Sequence, residues 1–149
     1  MIDKKYYSYN SFLQDTKTIL TKLKQNYTPD AIVAIARGGV TFGHFLASGL
    51  NINSLFTINS IHYNNTKKLD TFQISNIPDL TNYKNILVVD DIIDSGETME
   101  YILTILKTKY PNSSFKTATL FYKPTAIIKA DFTLHSATKW IEFFWEKDI

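Results

Sequence analysis

Ile86-Leu87-Val88-Val89-Asp90-Asp91-Ile92-Ile93-Asp94-Ser95-Gly96-Glu97-Thr98 is the stretch on which the reading of this chain turns. Four apolar residues run straight into two adjacent carboxylates, and a third carboxylate follows three positions later. The apolar run predicts a strand buried on both faces, the kind found inside a parallel sheet. Ending such a strand in Asp-Asp puts charge where the sheet meets solvent, and in open α/β sheets ligands bind at that carboxyl edge. Gly96 permits a turn with positive φ, and Ser95 and Thr98 supply hydroxyls. Met99, Ile102, Leu103 and Leu106 recur at helical spacing, so the loop feeds a helix N-terminus. Unpaired N–H groups and the helix dipole there favour an anion such as phosphate. Asp90 and Asp91 suit hydroxyls or a hard divalent cation such as Mg²⁺. Asp-Ser-Gly alone would read as a strand end and a helix cap. Thirteen residues in this order point instead to a phosphorylated ribose carrying a metal-bound diphosphate.

Working outward, the same strand-loop-helix pattern recurs upstream. Ala31 to Ala36 is a short apolar run suited to a central strand, Arg37-Gly38-Gly39 turns the chain, and Val40 to Leu50 reads as a helix with Phe42, Phe45 and Leu46 as its packing face. Two glycines let backbone N–H groups approach an anion, and a guanidinium can fork onto its oxygens. Taken alone, Arg-Gly-Gly is a turn more often than a site; its place one βα unit ahead of the aspartate loop favours a site. Gly38, Gly39 and Gly43 have the wrong spacing for a dinucleotide fingerprint, and no P-loop motif exists. Ser8 to Gln25 predicts a helix capped by Ser8, with Tyr9, Phe12, Leu13, Thr16, Ile19, Leu20 and Leu23 on one face. Leu55 to Tyr63 reads as a strand, Asn64 to Asp70 as a polar loop with Lys67 and Lys68. Thr98 to Tyr110 reads as a helix stopped by Pro111. Phe115 to Tyr122 predicts another strand, and Phe132 to Leu134 a last short one. Repeated strand-to-helix alternation predicts an α/β fold with a mostly parallel sheet.

The 149 residues suffice for one domain with its own core, and no repeat or linker breaks them, so a single domain over 1–149 is expected. There is no cysteine, which excludes disulfides and thiolate metal sites. No apolar stretch is long enough to span a bilayer and the N-terminal residues lack a signal-peptide core, so a cytoplasmic location is expected. The formal charge of +2 and the dispersed lysines do not suggest nucleic-acid binding. Arg37 is the only arginine among sixteen basic residues, which points to a planar anion contact there. Lys123, at a strand end, is able to donate to a carbonyl oxygen of a base, and an aromatic such as Trp140 to stack on it. Phe143, Phe144 and Trp145 read as core.

The 86–98 stretch resembles the phosphoribosyl-diphosphate (PRPP) signature of the type I phosphoribosyltransferases: four apolar, two acidic and two apolar residues, then Asp-Thr-Gly-x-Thr. Ser95 stands where that pattern has Thr and keeps the hydroxyl. The resemblance implies a doubly wound, mostly parallel sheet with a small C-terminal hood. Arg37-Gly38-Gly39 looks like the family's diphosphate loop. His62-Tyr63, with Lys67 and Lys68 after it, looks like its mobile loop, with His62 where Ser is common. The tail, Trp140-Ile141-Glu142 and Trp145-Glu146, is similar to that of the small bacterial enzymes that use xanthine, guanine or hypoxanthine. Phe144 replaces the commoner Pro, and Glu146 replaces Asp; if that carboxylate reaches a second metal through water, Glu serves with a longer arm.

The implied activity is purine salvage, the transfer of phosphoribose from PRPP to a 6-oxopurine with Mg²⁺. The implied catalytic residues are Asp94 and Arg37. Arg37 and Gly38 would hold diphosphate, Asp91 the metal, and Asp90 either ribose hydroxyls or the neighbourhood of Asp91. Ser95, Gly96, Glu97 and Thr98 would cradle the 5′-phosphate. Asp94, Lys123, Trp140 and Ile141 would take the base. A homo-oligomer is expected, with the aromatic tail and Tyr-rich N-terminus as interface. Two alternatives stay open: a phosphoribosyltransferase for another base, and a regulator that keeps the PRPP fold and binds RNA.

Overall fold

The computed structural model describes residues 2–63, 71–147 and 149. The chain begins with strand β1 (Lys4–Tyr7) and helix α1 (Tyr9–Asn26). Ser8 caps α1, its Oγ accepting from the Ser11 N–H at 3.1 Å. Phe12, Thr16, Ile19 and Leu23 are buried at helical spacing along α1. Strand β2 (Ala31–Ala36) leads into α2 (Gly38–Leu50). Strands β3 (Leu55–Tyr63) and β4 (Thr71–Ser75) form an antiparallel pair. Then come β5 (Asn85–Val89), the two-residue β6 (Ile92–Ile93) and α3 (Glu97–Lys109). The last elements are β7 (Ser114–Ala118), β8 (Phe121–Tyr122), β9 (His135–Ser136), β10 (Trp140–Phe143) and the short α4 (Phe144–Lys147).

The main sheet has the order β4-β3-β2-β5-β7, parallel except at β4. Alternation along its central strands divides the core in two. Ile32, Leu87 and Val89 pack on one face against Phe12, Ile19 and Leu23 of α1 and Phe42 and Leu46 of α2. Val33, Ile35, Ile86 and Val88 pack on the other against Met99, Ile102, Leu103 and Leu106 of α3. Helices on both faces make the sheet doubly wound, as the family resemblance implies. Each such side chain contributes roughly 1.5–3 kcal/mol of burial, and it is this that holds the strand ends in place.

The sequence predicts one strand over Phe115–Tyr122, but the structure has two. β5 and β7 leave the main sheet together. The Asp90 N–H donates to the Ala118 carbonyl at 3.1 Å, and the Asp91 carbonyl accepts from Leu120 N and Phe121 N at 3.0 and 3.2 Å. Beyond this bend the two chains pair again as β6 and β8, with β9 alongside, in a separate three-stranded sheet. Both halves of 115–122 mix apolar residues with polar ones, Lys116 and Thr117 in the first and Thr119 in the second, so hydropathy does not mark the break. The strand expected at Phe132–Leu134 is a single bridge from Phe132 to Ala118, and pairing resumes at His135.

The hood also differs. It is not made of the C-terminus alone, because β10 pairs in parallel with β1, Lys4 opposite Trp140 and Tyr7 opposite Phe143. Lys4-Lys5-Tyr6-Tyr7 carries no alternation that would announce a strand. Its pairing is decided by Tyr7, which is buried and packs edge-on against Phe121 and Phe143. β4 was also not expected; it begins where the polar run ends. The loop read over Asn64–Asp70, with Lys67 and Lys68, lies outside the described residues.

Candidate active site at the carboxyl edge of the sheet

Two loops meet where β2 and β5 end. Arg37 occupies the N-cap position of α2 with no side-chain capping bond and is exposed, and the peptide between Ala36 and Arg37 is cis. Gly38 and Gly39 let the α2 N-terminus lie directly on the Asp90-Asp91 bend. A Cβ at Gly38 would collide with the Asp91 carboxylate, and one at Gly39 would stand 2.5 Å from the Val89 carbonyl oxygen. The two glycines therefore have a steric reason, close approach, besides turn chemistry.

Asp90 and Asp91 are half-buried at this junction. Asp90 Oδ1 accepts from the Asp91 N–H at 2.9 Å, and Asp91 Oδ1 accepts from the Ile92 N–H at 2.7 Å. Burial, reinforced by the Asp91 charge, holds the Asp90 carboxyl well above the ordinary carboxylate range. Burial also raises Asp91; its hydrogen bonds with Asp90 and Ile92 work against that, and the Glu146 carboxylate adds repulsion. α4 thus brings Glu146 into the field of Asp91. Two crowded, hard oxygen donors fit a divalent cation, whose charge would reverse the repulsion. Among the described residues no three His or acidic side chains gather as a cage.

The adjoining turn is held from below. Gly96 has φ +87°, is buried, and a Cβ there would meet Ile128 Cγ2 at 2.8 Å. The Ile127 N–H donates to the Ser95 carbonyl at 2.9 Å. The Ser95 Oγ accepts from the Glu97 N–H at 3.2 Å at the start of α3. Thr98 is half-buried and Glu97 exposed. Ile127 and Ile128 were not singled out from the sequence; their one signal is an apolar pair inside an otherwise polar segment.

Asp94 projects from the loop and Lys123 from the end of β8. Lys123 Nζ stands 2.6 Å from Asp94 Oδ1, and the Lys123 N–H donates to the Ile93 carbonyl at 2.8 Å. Lys123 and Trp140 line one cavity of about 700 Å³, which Asp94 joins through its ion pair. Trp140 is exposed on the hood, whereas Ile141 and Phe143 are buried. Trp145 stacks on Phe143 at 4.6 Å and packs edge-on against Phe12, so it is core as expected. The Trp140 N–H donates to the Asp3 carbonyl at 3.1 Å. Backbone groups alternate between the two edges of a strand. The N–H and C=O of Ile141 therefore face the other edge of β10, which no strand pairs among the described residues.

A doubly wound sheet with two ligand loops at its carboxyl edge and a hood above them is the architecture of the type I phosphoribosyltransferases. The chain belongs to that family: residues 4–148 match the phosphoribosyl transferase domain. A solved xanthine-guanine-hypoxanthine phosphoribosyltransferase from Helicobacter pylori superposes with a TM-score of 0.92 at 40% identity, covering 98% of this chain and 96% of its own. A purine phosphoribosyltransferase from Pyrococcus horikoshii gives 0.85 at 29% identity, with coverage of 98% and 96%. The xanthine-guanine phosphoribosyltransferase of Roseobacter denitrificans is 32% identical over 126 residues, 78% of this chain and 68% of its own. No described helix is long and apolar enough to cross a membrane.

Proposed function

We propose that this chain transfers the 5-phosphoribosyl group of PRPP to a 6-oxopurine, xanthine, guanine or hypoxanthine, and so serves purine salvage. The observation that carries this reading is the Lys123–Asp94 pair, 2.6 Å apart, beside the stacking surface of Trp140 and one loop away from Asp90 and Asp91. A 6-oxopurine offers an acceptor at its 6-oxo oxygen and a donor at N7–H. The Lys123 ammonium suits the first and the Asp94 carboxylate the second, so the base replaces each partner of the pair. Relatives named as xanthine-guanine and purine phosphoribosyltransferases support the same choice.

In the reaction a purine ring nitrogen bonds to the anomeric carbon while the bond from that carbon to the diphosphate oxygen breaks. Positive charge develops on the sugar and negative charge on the leaving diphosphate. Mg²⁺, held by Asp91 and the substrate oxygens, would neutralise part of the leaving charge. Arg37 and the Gly38 N–H bind the diphosphate, and Asp90 accepts from ribose hydroxyls. Backbone and hydroxyl groups from Ser95 through Gly96 and Glu97 to Thr98 hold the 5′-phosphate at the α3 N-terminus. Asp94 takes up the N7 proton as the base becomes acidic on bonding. Trp140 stacks on the ring and the Ile141 backbone reads its edge.

Labelled xanthine, guanine, hypoxanthine, adenine and uracil, each incubated with PRPP and Mg²⁺, test the proposal. Nucleoside 5′-monophosphate should form from one or more 6-oxopurines and not from adenine or uracil. Product from uracil or adenine, or from no base at all, would overturn it. We also expect a cytoplasmic homo-oligomer with no nucleic-acid partner; filter binding with structured RNA checks the last point.

A further inference from the structure

The two side chains given to the base belong to different sheets. Lys123 follows β8 in the three-stranded sheet, and Trp140 opens β10 in the hood. Among the described residues no strand pairing joins these two sheets, so their spacing is fixed by side chains. Phe121 is buried at the seam between them. Tyr7 of β1 packs on it at 5.0 Å, His135 of β9 at 5.4 Å and Phe143 of β10 at 6.0 Å. Apolar burial holds these rings together without directing them. The directional contact at the seam is polar. The Tyr7 hydroxyl donates to Asp15 Oδ2 at 2.6 Å, and His135 Nε2 stands 2.9 Å from the same oxygen. An ionised carboxylate only accepts, so Nε2 carries the proton of that bond. Asp15 belongs to α1, whose Phe12, Ile19 and Leu23 pack with the main sheet. One oxygen therefore ties both small sheets to the sheet that ends in Asp90 and Asp91.

We infer that Asp15 is a positioning residue for the base, setting through Tyr7 and His135 the gap between Lys123 and Trp140. This rests on the 6-oxopurine reading above. Asp15 does not line the cavity that Lys123 and Trp140 share, so it acts at one remove. Strand register carries its effect. Tyr7 lies opposite Phe143, on the strand that Trp140 opens, and His135 lies opposite Phe121, two residues before Lys123. A base held between an ammonium and an indole depends on their separation, because a hydrogen bond weakens steeply once its distance and angle leave the favoured range. The Asp15 side chain is 18% exposed, so water does not readily replace a lost partner there. The loops assigned to PRPP follow β2 and β5, strands of the main sheet that Asp15 does not hold. Losing either bond should therefore loosen the base and spare the sugar.

The test separates KM for the base from the PRPP Kd and kcat in Asp15→Leu, Tyr7→Phe, His135→Leu and His135→Gln. Asp15→Leu should raise the base KM about tenfold, and Tyr7→Phe and His135→Leu about threefold each, with kcat and the PRPP Kd within about twofold of wild type. If Asp15→Leu does not fold, the two single-bond variants decide the matter. His135→Gln, whose amide nitrogen reaches the same carboxylate oxygen, should keep the wild-type KM. Ile19→Val, which trims a buried α1 side chain away from the seam, controls for stability alone and should leave the base KM unmoved. A base KM that does not rise in the Tyr7→Phe and His135→Leu variants would overturn the inference. So would a PRPP Kd that rises in step with it, a His135→Gln variant as impaired as His135→Leu, or an equal rise in Ile19→Val. Each of these leaves the 6-oxopurine reading intact. Failure of the wild type with xanthine, guanine and hypoxanthine alike would remove that reading itself.

Discussion

Asp90 is held in a place that costs the ligand-free protein stability. Its carboxyl is raised above the ordinary range by burial and by Asp91. A raised folded-state value means that the protonated form is the one the fold favours. That contribution is full below the ordinary carboxylate pKa of about 4 and is lost as pH rises through the folded value. The ligand-free protein should therefore gain stability on acidification from pH 8 toward pH 5. Asp90→Asn should abolish that gain and raise the melting temperature at pH 8 by about 2–4 °C, while weakening PRPP binding; calorimetry at the two pH values measures both. Asp94 is different in kind, exposed and already paired with Lys123. Asp94→Ala should cut kcat by about 10²–10⁴ while the PRPP Kd changes little, and equal losses in both would remove its assigned role. These carboxylates were legible because the 86–98 stretch is long and ordered. The Ile127–Ile128 support under Gly96 was not, because a loop that packs on another loop leaves no periodic mark. Gly96→Ala should cost about 1–3 kcal/mol, since the left-handed φ and the Ile128 side chain both oppose a Cβ; urea melts read it.

Elements whose faces are wholly buried were read from sequence almost to the residue. β2 is apolar because both sides of the sheet are covered, and α1 shows one apolar stripe because only one face is. β1 and the split of β7 from β8 were missed, since each depends on a partner far away in sequence. β1 is fastened by more than β10. The Tyr7 hydroxyl donates to Asp15 Oδ2 at 2.6 Å, and His135 Nε2 stands 2.9 Å from the same oxygen, so Asp15 joins α1 to β1 of the hood and to β9 of the three-stranded sheet. Burial chiefly, with Asp15 beside it, pushes the Tyr7 phenol far above its usual value of 10.0. Its stabilising contribution is present below about pH 10 and is lost as pH rises beyond that. Tyr7→Phe should lower stability at neutral pH by about 1 kcal/mol and flatten the decline between pH 10 and 12, as followed by circular dichroism.

Across the molecule, two half-cores clamp one sheet, and the ligand loops lie beyond its edge. Rigid strands thus aim the two loops, and binding should stabilise the whole. PRPP with Mg²⁺ at about a hundredfold excess over Kd should raise the melting temperature by about 5–10 °C, and chelation of the metal should remove most of that rise. PRPP without Mg²⁺ giving the same rise would exclude Asp91 as a metal ligand.

The bend at Asp91 has a further meaning. Its carbonyl accepts two N–H groups from the segment leading to Lys123, and the Ile93 carbonyl holds Lys123 itself. On the proposed function, the distance from the sugar site to the base site is thus set by main-chain geometry rather than by the side chains at either end. If that function holds, an engineer wishing to redirect the chain to another heterocycle should be able to exchange the groups above the bend and leave the proposed PRPP loops untouched.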